Sequence, residues 1–327
     1  MTEDPKIEGD VHARTSVSSA TPWRSILIGF GAFTVVALLL TAWRPRPSME
    51  VDDHFRLPLM PEVPYETVPH VVCTVVMTLF GLIGVVQGIR GGWSTRSVLP
   101  VMIALSTALI CIPEVFFDIM GAVYFPVSDT EPFGHAFTLM GRDMPVWIVA
   151  GWFGYGMFAL FIYDAIAKRP STKSLWKLLA VAGLSSAIFE EALLAAGVYH
   201  YYGNQPLVLF HLYPWWWLPA NSIGVFLAAA LAYRLRHGLQ GWRSLWMLVI
   251  TPMAVATVYG AVALPSWIAV NSDYPWLPTQ LLGLSTIALG IAAFAMLLKF
   301  ILGREPFDMN YVPDADDESP LVKVSAV

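Results

Sequence analysis

The stretch LWKLLAVAGLSSAIFEEALLAAGV, residues 175–198, reads as one apolar helix of 24 residues. About 20 residues suffice to cross the hydrocarbon core of a bilayer. Yet Glu190 and Glu191 stand side by side within it. The length points to a membrane-spanning fold. The two acids demand a reason, because an ionised carboxylate deep in a span costs about 2.5–3.5 kcal/mol even on lenient scales.

The rest of the chain repeats the first signal. Of 327 residues, 56% are hydrophobic and 13% charged, with a mean hydropathy of +0.60. A soluble domain carries about 25% charged residues, and the apolar residues here fall in long runs. Eight candidate spans follow, at 26–43, 68–89, 97–120, 145–166, 175–198, 215–235, 242–264 and 277–302. The expected fold is an all-α, polytopic helical bundle spanning 26–302. A polar N-terminal tail (1–25) and a polar, acidic C-terminal tail (303–327) flank it. The first span follows some 25 polar residues and lacks a small-residue cleavage pattern, so it reads as a retained anchor. Cys73 and Cys111 both fall within spans and make no disulfide framework.

Fifteen of the nineteen Lys and Arg lie on one set of loops; only Arg44, Arg46, Arg56 and Arg142 lie on the other. Under the positive-inside rule this gives an even span number with both termini cytoplasmic; composition and topology together suit a bacterial plasma membrane, which is the expected location.

Self-comparison adds a repeat. IPEVFFDIMGAVYFP (112–126) and TPMAVATVYGAVALP (251–265) share five identities in fifteen positions, including Pro113 with Pro252 and Gly121 with Gly260. A shift of 76 sets Glu114 on Glu190 and Gly121 on Gly197. The return spans open alike, as MPVWIVAG (144–151), YPWWWLPANSIG (213–224) and YPWLPTQLLG (274–283). Spans 3–4, 5–6 and 7–8 thus read as three versions of one hairpin, and sites in membrane proteins built of repeats often lie between them.

Four acids sit within spans: Glu114, Asp118, Glu190 and Glu191. Glu114 and Asp118, four apart, share a helix face, as do Ser186 and Glu190. The third hairpin has Met253 and Thr257 at the matching positions, so the acids are not part of the hairpin's structural recipe. All four are candidate catalytic residues in one pocket beneath the outer loops. Crowded carboxylates share protons, and a protonated acid in an apolar cavity is a competent general acid. The outer loops and their edges offer candidate substrate-binding residues: Tyr124, Tyr199, His200, Trp216 and Asn221. For each aromatic the plainer reading is an interfacial belt, and for the acids a watered near-interface position or a pairing with Arg142.

No phosphate loop, dinucleotide glycine pattern or nucleophile elbow occurs. The seven His are scattered singly, so neither a metal nor a cofactor is expected. Membrane lipids and an apolar small molecule are the expected partners. Nucleic acid is not, and the sequence specifies no protein partner.

PEVFFD (113–118) and the acids of FEEALL (189–194) resemble the small membrane-bound terpene cyclases and the carotenoid-type lycopene cyclases. Here Glu114 follows Pro113 directly, where the lycopene enzymes have Pro-x-Glu-acid. That resemblance implies a polytopic, metal-independent enzyme that cyclises or isomerises an apolar isoprenoid or lipid with intramembrane acids. Two further classes stay open. One is a proton-coupled carrier using the acids as a relay; the other is a non-catalytic membrane assembly partner. A carrier needs polar groups on both sides of the acids, whereas an enzyme pocket is blind on its inner side.

Overall fold

The computed structural model describes residues 23–43, 50–52, 54 and 57–313. Both tails beyond these limits lie outside the described residues, as do Arg44, Arg46 and Arg56 of the charge-sorting argument.

The fold is helical, with two small ribbons. In chain order come α1 (Trp23–Ala42), α2 (Thr67–Thr95) and α3 (Leu99–Ser106), the last running through a 3₁₀ turn into α4 (Cys111–Gly121). Then follow β1 (Val123–Tyr124), β2 (Phe137–Leu139), β3 (Arg142–Met144), α5 (Val146–Ala167), α6 (Thr172–Ala195) and β4 (His200–Tyr201). The chain finishes with α7 (Trp217–Arg234), α8 (Met247–Val262), α9 (Leu264–Val270) and α10 (Trp276–Met296).

Among the described residues, seven helical segments are long and apolar enough to cross a membrane: Arg24–Ala42, Thr67–Thr95, Leu99–Gly121, Val146–Ala167, Thr172–Ala195, Gly241–Val262 and Trp276–Ile301. The stretch 215–235, expected as an eighth, contributes α7, which is not one of them. Pro219, Asn221, Ser222 and Arg234 dilute its apolar run over only 18 residues. Thirteen of those residues are buried, so α7 is the central helix that its neighbours wrap. Large apolar side chains on α1, α2 and α6 point outward, among them Leu79, Val181 and Ile188, as lipid-facing surfaces do.

Glycine permits close helix contacts. A Cβ at Gly84 would stand 2.7 Å from the Met157 backbone nitrogen, and one at Gly154 would stand 2.8 Å from the Met77 carbonyl oxygen. Small residues thus let α2 and α5 meet backbone to backbone, where dispersion replaces the hydrophobic effect as the force holding helices together. Hydroxyl pairs bind other seams. Ser106 meets Thr251 at 2.7 Å between α3 and α8, and Ser266 donates to Thr286 at 2.8 Å between α9 and α10.

At one end of the bundle, β1 pairs antiparallel with β4, Val123 opposite Tyr201 and Tyr124 opposite His200. Tyr202 N–H extends the ribbon by donating to the Ala122 carbonyl at 3.0 Å. Ala122 can offer it because it caps α4 in a left-handed turn, φ 52°. The ribbon fastens the end of α4 to the segment leaving α6, and so fixes the acids of one helix relative to those of the other.

Candidate active site

Under this ribbon lies a cavity of about 80 Å³ bounded by α4, α5, α6, α7 and α8. Glu114 and Asp118 enter it from α4, Glu190 from α6, Asn221 from α7 and Tyr259 from α8. Trp147, Trp152 and Tyr155 of α5, Trp217 of α7 and Tyr199 and Tyr201 of the loop supply aromatic walls. Gly121 permits this closure, since a Cβ there would lie 2.3 Å from the Trp217 ring. Phe117 stacks on Tyr259 with centroids 4.0 Å apart and planes 8° from parallel, which steadies the Tyr259 ring.

Glu190 is the most heavily bonded acid of the cavity. One carboxylate oxygen accepts from Asn221 Nδ2 at 2.6 Å and from Ser186 Oγ at 3.3 Å; the other accepts from the Tyr199 hydroxyl at 2.6 Å and the Tyr201 hydroxyl at 3.1 Å. The Tyr259 hydroxyl in turn donates to Asn221 Oδ1, which orients the amide. Burial, then the nearby Glu190 charge, holds the Tyr199 phenol well above its ordinary pKa. Tyr201 is raised by the same causes in the same order. Both therefore remain neutral donors at neutral pH. Four donors on two oxygens are what a buried carboxylate needs.

Glu114 and Asp118 are held differently. Glu114 Oε2 and Asp118 Oδ2 are buried and have no hydrogen-bond partner among the described residues. Among the described residues no Lys or Arg forms an ion pair with Glu114, Asp118 or Glu190. Arg142 instead donates to the Tyr202 hydroxyl at 2.8 Å and to the Met60 sulfur. An apolar enclosure cannot keep three uncompensated negative charges; protons must balance them or a bound cation must. Among the described residues no three His, Cys, Asp or Glu side chains converge as ligands for a metal ion.

The expected set therefore divides. Glu114, Asp118, Glu190, Tyr199 and Asn221 are brought together around one cavity. Glu191 is not, which corrects the expectation of a single pocket holding all four acids. Successive residues of a helix are turned by about 100°, so Glu191 faces outward toward the 208–214 loop. There it accepts backbone N–H groups of His211 at 3.3 Å, Leu212 at 3.0 Å and Tyr213 at 3.1 Å. Tyr124 and His200 also fail to line the cavity. They face each other across the ribbon, and side chains alternate faces along a strand, so Val123 and Tyr201 point in and this pair points away. His200 leaves Nε2 buried without a partner, and burial lowers its pKa from the usual imidazole range. Trp216 is fully buried but donates its indole N–H to Gln205 Oε1 at 3.0 Å; the next residue, Trp217, reaches the cavity.

Tyr155, Trp152, Tyr201, Trp217 and Tyr259 complete the site beyond the expected substrate-binding set. Tyr259 and Tyr155 carried one available signal, a phenol within an apolar helix, which needs a polar partner when buried.

No protein-family model, curated protein or solved structure matches the chain. The seven membrane-length helices among the described residues fit a multi-pass membrane protein.

Proposed function

We propose that the protein is a membrane-embedded acid catalyst that cyclises or isomerises an apolar, alkene-bearing isoprenoid or lipid. The observation that carries this reading is the union of three carboxyl groups, ion-paired to no Lys or Arg among the described residues, and a wall of aromatic rings. Glu114 and Asp118, with their unpartnered buried oxygens, serve as the proton source. A carboxyl O–H protonates a carbon–carbon double bond: the π pair forms a C–H bond, the O–H pair stays on oxygen, and a carbocation and a carboxylate result. The faces of Trp152, Trp217 and Tyr259 stabilise that cation as they would any other. After ring closure or double-bond shift, Glu190 removes a proton from a neighbouring carbon and a new double bond forms. Glu190 then gives that proton up to water and the acids of α4 take one from it, so the catalyst is restored and each product carries one solvent-derived hydrogen. Substrate and product are isomers, so the step consumes no oxidant, reductant or cofactor.

A carrier is the second class weighed. The hollow adjoining the acid cavity adds Ser185, Ser186 and Ser222 as further polar groups, and the rest of what it adds is Phe, Met, Ala and Gly. A relay path through the protein needs polar groups on both sides of the acids, and this favours a blind catalytic pocket. The three-hairpin repeat and a bacterial plasma-membrane setting with both termini cytoplasmic belong to the same proposal, in which the buried α7 crosses the bilayer as an eighth span at the centre of the bundle. The acid cavity then lies in the outer half of the membrane.

Isomerisation leaves mass unchanged, but protonation in deuterated water adds label. The protein, reconstituted in vesicles with an isoprenoid-rich lipid extract in D₂O, is expected to yield a new species one mass unit heavier than its precursor. An unlabelled extract from active, inserted protein would exclude carbon protonation.

A further inference from the structure

Beside the acid cavity runs a second hollow of about 160 Å³, twice the cavity's volume. Glycines draw α2 onto α5, while Gly183, whose added Cβ would stand 3.5 Å from Ser222 Oγ, lies beside α7 on α6. Between these two helix pairs a cleft remains. Phe80, Met157, Phe158 and Ala182 line it, with Ser185 at an exposed position. Met77, Tyr155, Phe189 and Asn221 line both hollows, so the cleft and the acid cavity share one wall.

We infer that this cleft between α2 and α6 is a lateral portal that admits one elongated apolar chain from the bilayer, seating its end among the acids. Three observations point to that occupant. The cleft opens between two helices of membrane-spanning length whose outward side chains, such as Leu79 and Ile188, are exposed and apolar. Its lining is almost wholly hydrocarbon and aromatic. The acid cavity alone is too small for more than the end of a lipid, so the remainder of the molecule needs a contiguous apolar channel. Ser222, whose buried hydroxyl has no partner among the described residues, also lines it and offers a hydrogen bond to one oxygen of the chain. This inference deepens the catalytic proposal by naming the shape of the substrate and its route.

The test reads occupancy rather than turnover. Full-length protein in phosphatidylcholine vesicles is photolysed with a prenyl alcohol bearing a terminal diazirine, or with a phosphatidylcholine bearing the diazirine at its acyl end. Peptide mapping is expected to find adducts on Met77, Tyr155 or Phe189, and the stronger arm identifies whether a prenyl or an acyl chain is preferred. Ser185→Trp, at the mouth, should abolish those inner adducts and leave Phe80 labelled. Ser185→Cys capped with a bulky alkyl disulfide should do the same, and reduction should restore labelling, which rules out misfolding as the cause. Labelling confined to outward residues, or inner labelling indifferent to both plugs, would overturn the portal. Inner labelling without any deuterated product would leave the portal standing and sink the catalytic reading. Product formation with labelling unaffected by the plugs would do the reverse.

Discussion

Glu190 collects four side-chain donors from α6, α7 and the 199–201 segment, whereas Glu191 collects backbone N–H groups from three successive residues of a loop. The two are chemically identical and adjacent. Helix phase alone sends one into a cavity with two other acids and the other onto a turn, where it acts as a structural anchor. A backbone-bound carboxylate has its lone pairs committed and its position fixed. A carboxylate bound by hydroxyls and an amide can exchange a proton with the groups that surround it. The difference teaches that the cavity's acids are candidates for chemistry and that Glu191 serves the fold.

The comparison breaks most readily at the acids of α4. Asp118→Asn and Glu114→Gln keep size and remove the proton source, so deuterated product should fall by about 10²–10⁴-fold, the usual contribution of a general acid. Retained turnover in either variant would remove that residue from the mechanism. Next comes Glu191→Ala, which strips the 208–214 loop of its anion. It should cost about 2 kcal/mol of stability, seen as earlier thermal unfolding in detergent, while turnover per folded molecule stays unchanged. Smaller still is the contrast between the two phenols. Tyr199→Phe, which removes the 2.6 Å bond, should lower turnover about tenfold, and Tyr201→Phe, which removes the 3.1 Å bond, by less. Equal effects would deny that Glu190 is positioned chiefly by Tyr199.

The smallest effect belongs to His200. Its folded-state pKa is lowered by burial, so the unfolded chain binds the proton more readily. The stability it contributes is present above its unfolded value of about 6.5 and is lost as pH falls below it. A pH series of unfolding midpoints should show an acid-side decline that His200→Asn flattens, with no change in turnover at neutral pH.

Much of this arrangement is legible in the sequence. Long apolar runs announce the helices, and acids inside them announce a site, because burying a charge without purpose is costly. Gly81 and Gly84 face α5 and Gly88 faces α3, so the 81/84/88 spacing lies along the packed face of α2. What the sequence hides is phase. Whether Glu190 or Glu191 faces inward depends on which side of α6 packs on α7, and a mostly apolar helix with mixed faces does not declare it. The alternation that turns Tyr201 inward and His200 outward arises from a two-residue ribbon whose partner strand lies some 78 positions away. No local pattern carries that. Likewise α7 looks like one more span by its apolar run, and only the surrounding helices make it the buried centre.

The measurement closest to the central claim compares lipid extracts from cells expressing wild-type protein, Glu190→Gln and Glu191→Gln, analysed by mass spectrometry and chromatography after membrane insertion is verified. The account predicts a lipid or terpenoid species present with wild type and Glu191→Gln and absent with Glu190→Gln. A species retained in Glu190→Gln, or no difference among three inserted proteins, would contradict it.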